Sequence, residues 1–419
     1  MEAFINQDTI QDPIINPVAI VTVKRKRTFV TRRTETSGSN PCGYAEKNLM
    51  LLLMKINIFY LACITLRQPS IIWRTFNTAI IRLRKDFWGG NIPKLYRISG
   101  KYYFNMYSPG WPSKAYNNIW KSELRRHAPN NINGEKPFFA FLAITRKCPM
   151  KCEHCFEWDN LNQKESFTKE ELLKVIDMYQ QEGVQQFHFS GGEPMTRLKV
   201  LLELLRFSKE KSQCWVVTSG FNCTEENARL LKEAGCKGVM VSIDHHIPEM
   251  HNIFRGHSDS FDHATNAVRA VKKAGMVCAI CVCATKSFID GGHLLPYFEF
   301  AKNLGVHFVQ LLEPKSVGHY EGKNVTLEEN HIQILEDFFK MVNHSKKYKE
   351  YPTLLYHGYH QRRIGCLAGS RSVYIDSAGD VHSCPFCHTS SFNIIELIRK
   401  GNRTIPKKEN VCPQFNKIA

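Results

Sequence analysis

The sequence predicts an α/β fold, built as a partial (β/α)6 TIM-like barrel with an additional segment at each end. From Pro137 onward, short apolar runs alternate six times with helical patterns, which is typical of a parallel sheet. Before this region the chain is basic and turn-rich, and after it the chain is rich in cysteine. We therefore predict an N-terminal extension, a barrel and a small C-terminal domain.

The N-terminal third of the chain carries most of its charge. Residues 1–136 contain 21 Lys and Arg against 8 Asp and Glu, which is +13 of a net +17. Residues 1–48 show no hydrophobic periodicity and are predicted to be a disordered basic extension, followed by a helical and turn-rich region over residues 49–136. Such charge suits anionic lipid, nucleic acid or an acidic substrate. No nucleic-acid module accompanies it, so we expect no nucleic-acid partner.

Residues 49–66 form one long apolar stretch. It is barely long enough to span a bilayer, and it contains Lys55 and Asn57. We favour a helix that lies on the protein or on a membrane surface, and a spanning helix is the alternative. No secretory signal is recognisable, and the fifteen cysteines fall into local groups. We therefore expect a reducing, cytoplasmic location, with membrane association left open.

The barrel is predicted to occupy residues 137–325. Its apolar strand patterns lie at 138–144, 185–189, 214–218, 238–243, 277–284 and 307–312. Helices are predicted between them, and the first begins with a capping box of Thr168 and Glu171 and ends at Gly183. In a sheet of this kind, the chemistry belongs at the carboxyl ends of the strands.

Three cysteines follow the first predicted strand: Cys148, Cys152 and Cys155. Three thiolates this close together can hold three corners of a 4Fe-4S cluster and leave the fourth iron open to a ligand. A structural zinc site is the alternative, but zinc wants four protein ligands and usually takes paired Cys-x2-Cys units. The spacing favours a cluster with one reactive iron.

This C-x3-C-x-aromatic-C arrangement resembles the signature of the radical S-adenosylmethionine (SAM) superfamily, with His154 in the aromatic position. The resemblance covers about residues 138–314. It implies that the three cysteines hold a catalytic 4Fe-4S cluster whose open iron binds SAM. It further implies that one electron from the cluster cleaves SAM to the 5'-deoxyadenosyl radical. A low-potential electron donor, such as flavodoxin or ferredoxin, is implied as well.

Other residues match the family's pattern at successive strand ends. Gly191, Gly192 and Glu193 resemble its GGE element, in which glycine lets the backbone approach the methionyl moiety and Glu193 meets the ammonium group. Thr218, Ser242 and Asp244 also follow strands, where each is equally suited to capping a helix. The SAM-binding residues implied by the resemblance are His154, Gly191, Gly192, Glu193, Thr218, Ser242 and Asp244.

Residues 326–419 are predicted to form a second, small metal-bearing domain. Its four cysteines are enough for one further 4Fe-4S cluster or one zinc ion: Cys366, Cys384, Cys387 and Cys412. A hairpin pattern with a turn at residues 378–379 separates the first two. The spacing resembles the opening of the SPASM or Twitch extension, but the seven-cysteine SPASM pattern is not completed. The resemblance therefore implies a Twitch-like domain with one auxiliary 4Fe-4S cluster, and zinc is the alternative.

The resemblance leaves the substrate open. Radical SAM enzymes with such extensions modify peptides or small molecules, so we expect a peptide maturase or an enzyme acting on a small metabolite, sugar or lipid-like precursor. No leader-binding module is recognisable before the barrel, and the basic, apolar N-terminal segment favours an amphiphilic or anionic substrate. A non-catalytic zinc-binding interaction protein is a third hypothesis, but it leaves the strand-end motifs unexplained.

Overall fold

The structure is a computed structural model that describes residues 40–129, 136–388 and 390–406. Most of the predicted basic extension lies outside the described residues. The predicted boundary at residue 49 is wrong, because the first helix begins at Tyr44. Glu46 and Lys47 belong to its first turn, where Tyr102 donates to Glu46 and Lys47 donates to the carbonyl of Pro93. These polar contacts extend the helix beyond its apolar stretch.

The N-terminal region is more helical than its turn-rich composition indicates. Its elements are α1 (Tyr44–Leu66), α2 (Pro69–Arg82), β1 (Tyr96–Ile98), β2 (Lys101–Tyr103) and α3 (Lys114–His127). A π-helical turn, Leu83–Phe87, follows α2. The hydroxyl of Ser113 caps α3 by accepting from the amide of Tyr116.

A ten-stranded sheet forms the centre of the molecule, in the order β12-β11-β10-β3-β4-β5-β6-β7-β8-β9. The strands are β3 (Phe139–Ala143), β4 (Gln186–Ser190), β5 (Gln213–Thr218), β6 (Cys236–Ser242), β7 (Val277–Cys283), β8 (Phe308–Leu312), β9 (Thr353–Tyr356), β10 (Ser372–Ile375), β11 (Asp380–His382) and β12 (Phe392–Asn393). The eight strands from β10 to β9 in this order pair in parallel. β11 pairs antiparallel with β10 on one side and with β12 on the other. The predicted α/β fold is confirmed, and its six strands are β3 to β8.

Helices cover the sheet and lie between its parallel strands, as predicted. The helices are α4 (Lys169–Glu182), α5 (Leu198–Ser208), α6 (Glu225–Ala234), α7 (Pro248–Arg255), α8 (Ser260–Lys273), α9 (Lys286–Asp290), α10 (Leu294–Leu304), α11 (Glu329–His344), α12 (His357–Ile364) and α13 (Ile394–Arg399). The capping box of Thr168 and Glu171 is formed at α4, and Gly183 ends that helix with a φ of 108°.

Residues 326–419, predicted as a separate small domain, contribute strands to the same sheet. β9 pairs with β8 on one side, and β10 pairs with β3 on the other. The predicted hairpin is present, since Tyr374 of β10 lies opposite His382 of β11. The parallel part of the sheet therefore has eight strands instead of six.

The inner face of the sheet contains an aromatic cluster around His188 of β4. Its ring centroid lies 4.5 to 5.6 Å from those of Tyr107, Phe139, Phe141 and Trp215. His188 is fully buried, and its Nε2 lies 2.8 Å from the side-chain nitrogen of Gln186. This cluster joins the N-terminal region to the start of the parallel sheet.

Candidate active site

A cavity of about 740 Å³ lies at the carboxyl ends of the parallel strands. Its wall includes residues that follow β3, β4, β5, β6 and β8, as expected for a barrel of this class. Aromatic and aliphatic side chains of the N-terminal region complete the wall: Ala79, Leu83, Phe87, Trp88, Phe104, Tyr107, Ile119 and Trp120. The N-terminal region thus builds part of the cavity as well as extending the barrel.

Cys148, Cys152 and Cys155 all line this cavity, and none of them forms a disulfide. Asn162 holds the start of their loop, because its side chain accepts from the amide of Cys148 at 3.0 Å and donates to the carbonyl of Cys148 at 3.1 Å. His319 holds the other end by donating its amide to the carbonyl of Cys155 at 2.9 Å. The loop therefore presents three thiols to one space.

Backbone contacts with α7 fix the middle of the cysteine loop. The amides of Lys151 and Glu153 donate to the carbonyls of Arg255 and Phe254, both at 2.9 Å. Gly256 ends α7 with a φ of 60°, and a Cβ there would lie 2.7 Å from the carbonyl oxygen of Lys151. Glycine is required at this position for both reasons.

The two glycines of the GGE element contact the cysteine loop. A Cβ on Gly191 would lie 2.6 Å from the oxygen of Thr145, and one on Gly192 would lie 2.4 Å from the oxygen of Lys147. The amides of Gly192 and Glu193 donate to these same two carbonyls at 2.8 and 2.7 Å. The structure thus shows a role for the glycines that was not predicted, since they let two backbone segments meet, while both residues also line the cavity.

Glu193 is buried at the cavity wall and accepts four hydrogen bonds. Thr218 and Ser219 donate their hydroxyls, at 2.7 and 2.6 Å, and the amides of Met195 and Ser219 donate at 3.0 and 2.7 Å. Burial raises the pKa of Glu193, although these hydrogen bonds oppose the shift. Among the described residues it has no cationic partner, so a positively charged ligand group would complete its environment.

Arg255 connects the cysteine loop to Asp244. It donates to Asp244 Oδ2 at 2.6 Å and to Cys152 Sγ at 3.5 Å, and both charged side chains are almost fully buried. Burial disfavours the charged form of Asp244, but Arg255 and the neighbouring histidines outweigh it and hold the pKa of this carboxyl below its usual value. Asp244 also accepts from the amide of Cys283 and is absent from the lining of the large cavity. Its carboxylate therefore forms a buried ion pair with Arg255.

His154 and Ser242 both line the cavity. The Nδ1 atom of His154 is buried and has no hydrogen-bond partner among the described residues. Burial lowers the pKa of His154 to about 4, so the imidazole is neutral at pH 7. The hydroxyl of Ser242 lies 3.3 Å from the thiol of Cys281, which lines the same wall. Both residues thus contribute polar side chains to the cavity wall.

The tail cysteines share the cavity with the loop cysteines. Cys366, Cys384 and Cys387 all line it, and Cys387 donates its amide to the carbonyl of Cys384 at 3.2 Å in a tight turn. Cys412, the fourth predicted ligand, lies outside the described residues. The pairing of β10 with β3 brings the tail to the wall that the cysteine loop occupies.

Sequence reasoning missed Arg255 and a buried carboxylate, Glu157. Glu157 lines the cavity and accepts from the hydroxyls of Tyr374 and Ser377, and burial raises its pKa to about 7. Glu157 lies two residues after Cys155, just outside the cysteine motif, and no motif predicted a role for it. Arg255 lies in a helix after Asp244, where a cation is a natural partner for that carboxylate.

The residues present fit the groups that the fold implies. Three thiols lining one cavity, without disulfides, are a suitable donor set for a 4Fe-4S cluster with one open iron. Burial raises the pKa of Cys148 to about 12, so the thiol must lose its proton when iron binds. The unpaired Nδ1 of His154 and the carboxylate of Glu193 offer polar groups to SAM.

Comparison with known families agrees with this geometry. Residues 142–295 match the Radical SAM superfamily. This part of the chain is therefore a radical SAM superfamily domain. Among curated proteins, the chain is similar to an AdoMet-dependent heme synthase of Oleidesulfovibrio alaskensis, with 25% identity over 293 residues, or 64% of this chain and 74% of the relative. It is also similar to a GTP 3',8-cyclase of Staphylococcus epidermidis, with 23% identity over 284 residues, or 62% and 82%.

Solved structures share the fold at lower identity. SuiB of Streptococcus suis bound to SAM superposes with a TM-score of 0.52 and 15% identity, covering 67% of this chain and 69% of SuiB. SuiB bound to its precursor peptide SuiA gives a TM-score of 0.51 and 14% identity, with coverages of 70% and 72%. The mostly parallel α/β sheet is therefore a fold that this chain shares with SuiB.

Proposed function

We propose that this chain is a radical SAM enzyme that cleaves SAM reductively to methionine and a 5'-deoxyadenosyl radical, which then abstracts a hydrogen atom from a substrate. One observation carries the proposal: Cys148, Cys152 and Cys155 share a cavity with polar residues from successive strand ends. A 4Fe-4S cluster bound to these cysteines supplies the electron for the cleavage.

The protein's own residues would bind SAM and orient it. Glu193 offers a buried carboxylate to the ammonium group of SAM, and Ser242 and His154 offer polar atoms at the same wall. Arg255, held by Asp244, places a positive charge next to the Cys152 sulfur. The apolar walls exclude water and other hydrogen donors from the reacting atoms.

The cavity favours a small amphiphilic substrate over a whole peptide. Its volume of about 740 Å³ has to accept SAM together with the reacting part of the substrate, and its lining is mostly aromatic and aliphatic. Two curated relatives are named for heme synthesis and GTP cyclisation, which are reactions of small molecules. A peptide maturase is the competing proposal, supported by the peptide-bound SuiB structure only through its fold.

Anaerobic turnover tests the proposed reaction. Reconstituted protein, reduced with dithionite in the presence of SAM, should form 5'-deoxyadenosine and methionine, both measured by mass spectrometry. Replacing Cys148, Cys152 or Cys155 by Ala should abolish both products, whereas Cys63→Ala, a change in α1, should not. Persistent 5'-deoxyadenosine formation in the three loop variants would exclude the assignment. A colourless protein without iron would support the zinc-binding alternative.

The class of substrate is tested by asking which added molecules increase the rate of SAM cleavage. Adding the organic-soluble, aqueous small-molecule or peptide fraction of a cell extract should raise 5'-deoxyadenosine formation above the substrate-free rate only for the fraction that holds the substrate. We expect this increase with the organic-soluble fraction. An increase confined to the peptide fraction would instead support the maturase.

A further inference from the structure

Helix α1 is apolar on two opposite sides. One side, with Met54, Ile58, Leu61 and Ala62, is buried in the core. The other side exposes large apolar residues at helical spacing, each between 39% and 59% accessible: Leu49, Leu52, Leu53, Ile56, Phe59, Tyr60 and Ile64. Trp73 of α2, 61% exposed, extends this side, with its ring centroid 6.3 Å from that of Phe59. We call these eight residues the outer apolar face.

The helix is fixed to the rest of the molecule along its length. Asn57 in its middle donates to Asn117 of α3 at 2.9 Å, and Lys47 near its start donates to the Pro93 carbonyl at 2.6 Å. α1 is long and apolar enough to cross a membrane by length and composition alone. Crossing would break these contacts and place Asn57 in hydrocarbon, so only the outer side is available to another phase.

Exposed cationic side chains occur in the same segment of the chain as the outer apolar face. The six are Lys55, Arg67, Arg74, Arg82, Arg84 and Lys85. None of the six forms an ion pair within the described part of the chain. Between residues 44 and 87 the only acidic residues are Glu46 and Asp86. The segment therefore combines an exposed apolar face with an excess of exposed positive charge.

We propose that α1 and α2 dock on the surface of an anionic phospholipid bilayer. The outer apolar face enters the boundary between headgroups and acyl chains, and the exposed arginines and lysines contact lipid phosphates. Tyr60 and Trp73 have amphipathic rings that suit the headgroup level. A bilayer fits better than a protein partner, because its apolar boundary matches the exposed apolar side of the 23-residue α1 and its anionic headgroups match the exposed cations of α1, α2 and the adjoining residues.

The segment proposed to dock on the bilayer also lines the cavity, and the consequence for the substrate rests on the proposed function. Ala79 and Arg82 of α2, with Leu83 and Phe87 of the following turn, line the cavity. The segment that lies next to the outer apolar face therefore also forms a wall of the substrate site. An amphiphilic substrate taken from the bilayer would have to pass only this segment.

Vesicle binding tests the proposal with the full, reconstituted chain. We expect it to float with phosphatidylcholine vesicles that contain phosphatidylglycerol, and to bind pure phosphatidylcholine weakly. The variant L52S/I56S/Y60S should lower the partition coefficient about tenfold or more. The control F207S/I334S/M341S changes three other exposed apolar residues, on α5 and α11, and should bind like the unmodified chain. The variant R67Q/R74Q/R84Q should lose the dependence on phosphatidylglycerol and on salt.

Two outcomes would overturn the proposal. One is equal vesicle binding by the unmodified chain and by L52S/I56S/Y60S. The other is a dimer on gel filtration that this variant dissociates, without vesicle binding by either protein, which would assign the outer apolar face to a second copy of the chain. Substrate-free 5'-deoxyadenosine formation should be unchanged in all variants. It verifies their fold and separates failure of docking from failure of the proposed reaction.

Discussion

Arg255 lies between the Asp244 carboxylate and Cys152, a proposed cluster ligand, and neither group has another strong cationic partner in the described structure. It donates to Asp244 through two nitrogens and reaches Cys152 with a third. Because both charged groups are buried, removing one leaves the other without compensation. Arg255 thus determines the electrostatics of the cysteine loop, although no part of the cysteine motif indicates it.

A double-mutant cycle tests this pair. Arg255→Gln and Asp244→Asn should each lower the free energy of unfolding by about 3 kcal/mol, because each leaves a buried charge unpaired. The double variant should lose clearly less than the sum, which denaturant unfolding of the reconstituted protein measures. Arg229→Gln removes an exposed ion pair with Glu226 and should leave stability unchanged. Additive losses in the buried cycle would refute the coupling.

His188 gives a prediction about acid stability. Burial lowers its pKa to about 3, so the folded protein keeps the imidazole neutral while the unfolded chain takes up a proton near pH 6.5. The folded state binds fewer protons between these values, so stability falls as the pH drops below 6.5. His188→Phe should remove about 2 kcal/mol of the loss between pH 7 and pH 5, measured by urea unfolding. An unchanged pH dependence would show that His188 does not contribute.

At the scale of elements, the turn after β4 and the cysteine loop form one unit. Gly192→Ala would place a Cβ 2.4 Å from the backbone oxygen of Lys147, which cannot move without displacing Cys148. We expect a severalfold loss of iron after reconstitution, measured by metal analysis. Gly43→Ala is the matched control, since a Cβ there meets nothing within 4 Å. Full iron content in the Gly192 variant would show that the loop adapts.

Elements with strong local signals were predictable from the sequence. Strands β3 to β8 have apolar runs or apolar alternation, and α4 has a complete capping box. Strand β10 was predicted as part of a hairpin, but its pairing with β3 was not, and the four residues of β9 are too few to distinguish from a loop by pattern alone. Their places at opposite sides of the sheet depend on contacts distant in sequence.

The residues proposed to bind the cluster and SAM could be predicted from the sequence, whereas the residues that hold them in place were harder to predict. The three loop cysteines and Glu193 come from local motifs, and the structure brings them to one cavity. The role of Gly192 and the contacts of Arg255 depend on how separate loops meet, which no local pattern contains. Whether the predicted SAM contacts form stays a prediction.

At the scale of the whole molecule, the tail and the barrel share one cavity. If the tail binds an auxiliary cluster, the reconstituted protein should contain about eight irons, and Cys384→Ala should contain about four. This variant should still cleave SAM without substrate, because Cys148, Cys152 and Cys155 are intact. About four irons and one zinc in the unmodified protein would instead assign the tail to a structural zinc site.

The pairing of β10 with β3 has a consequence for biosynthesis. β3 is the first strand of the parallel sheet to leave the ribosome, yet its second neighbour, β10, begins only at Ser372, after all the other strands of the parallel sheet. Until then, β3 has an unpaired edge next to three reactive thiols, and such edges promote aggregation. Iron insertion at the cysteine loop is therefore expected to follow the synthesis of β10, and nascent chains stalled before residue 372 should keep their cysteines accessible to alkylation.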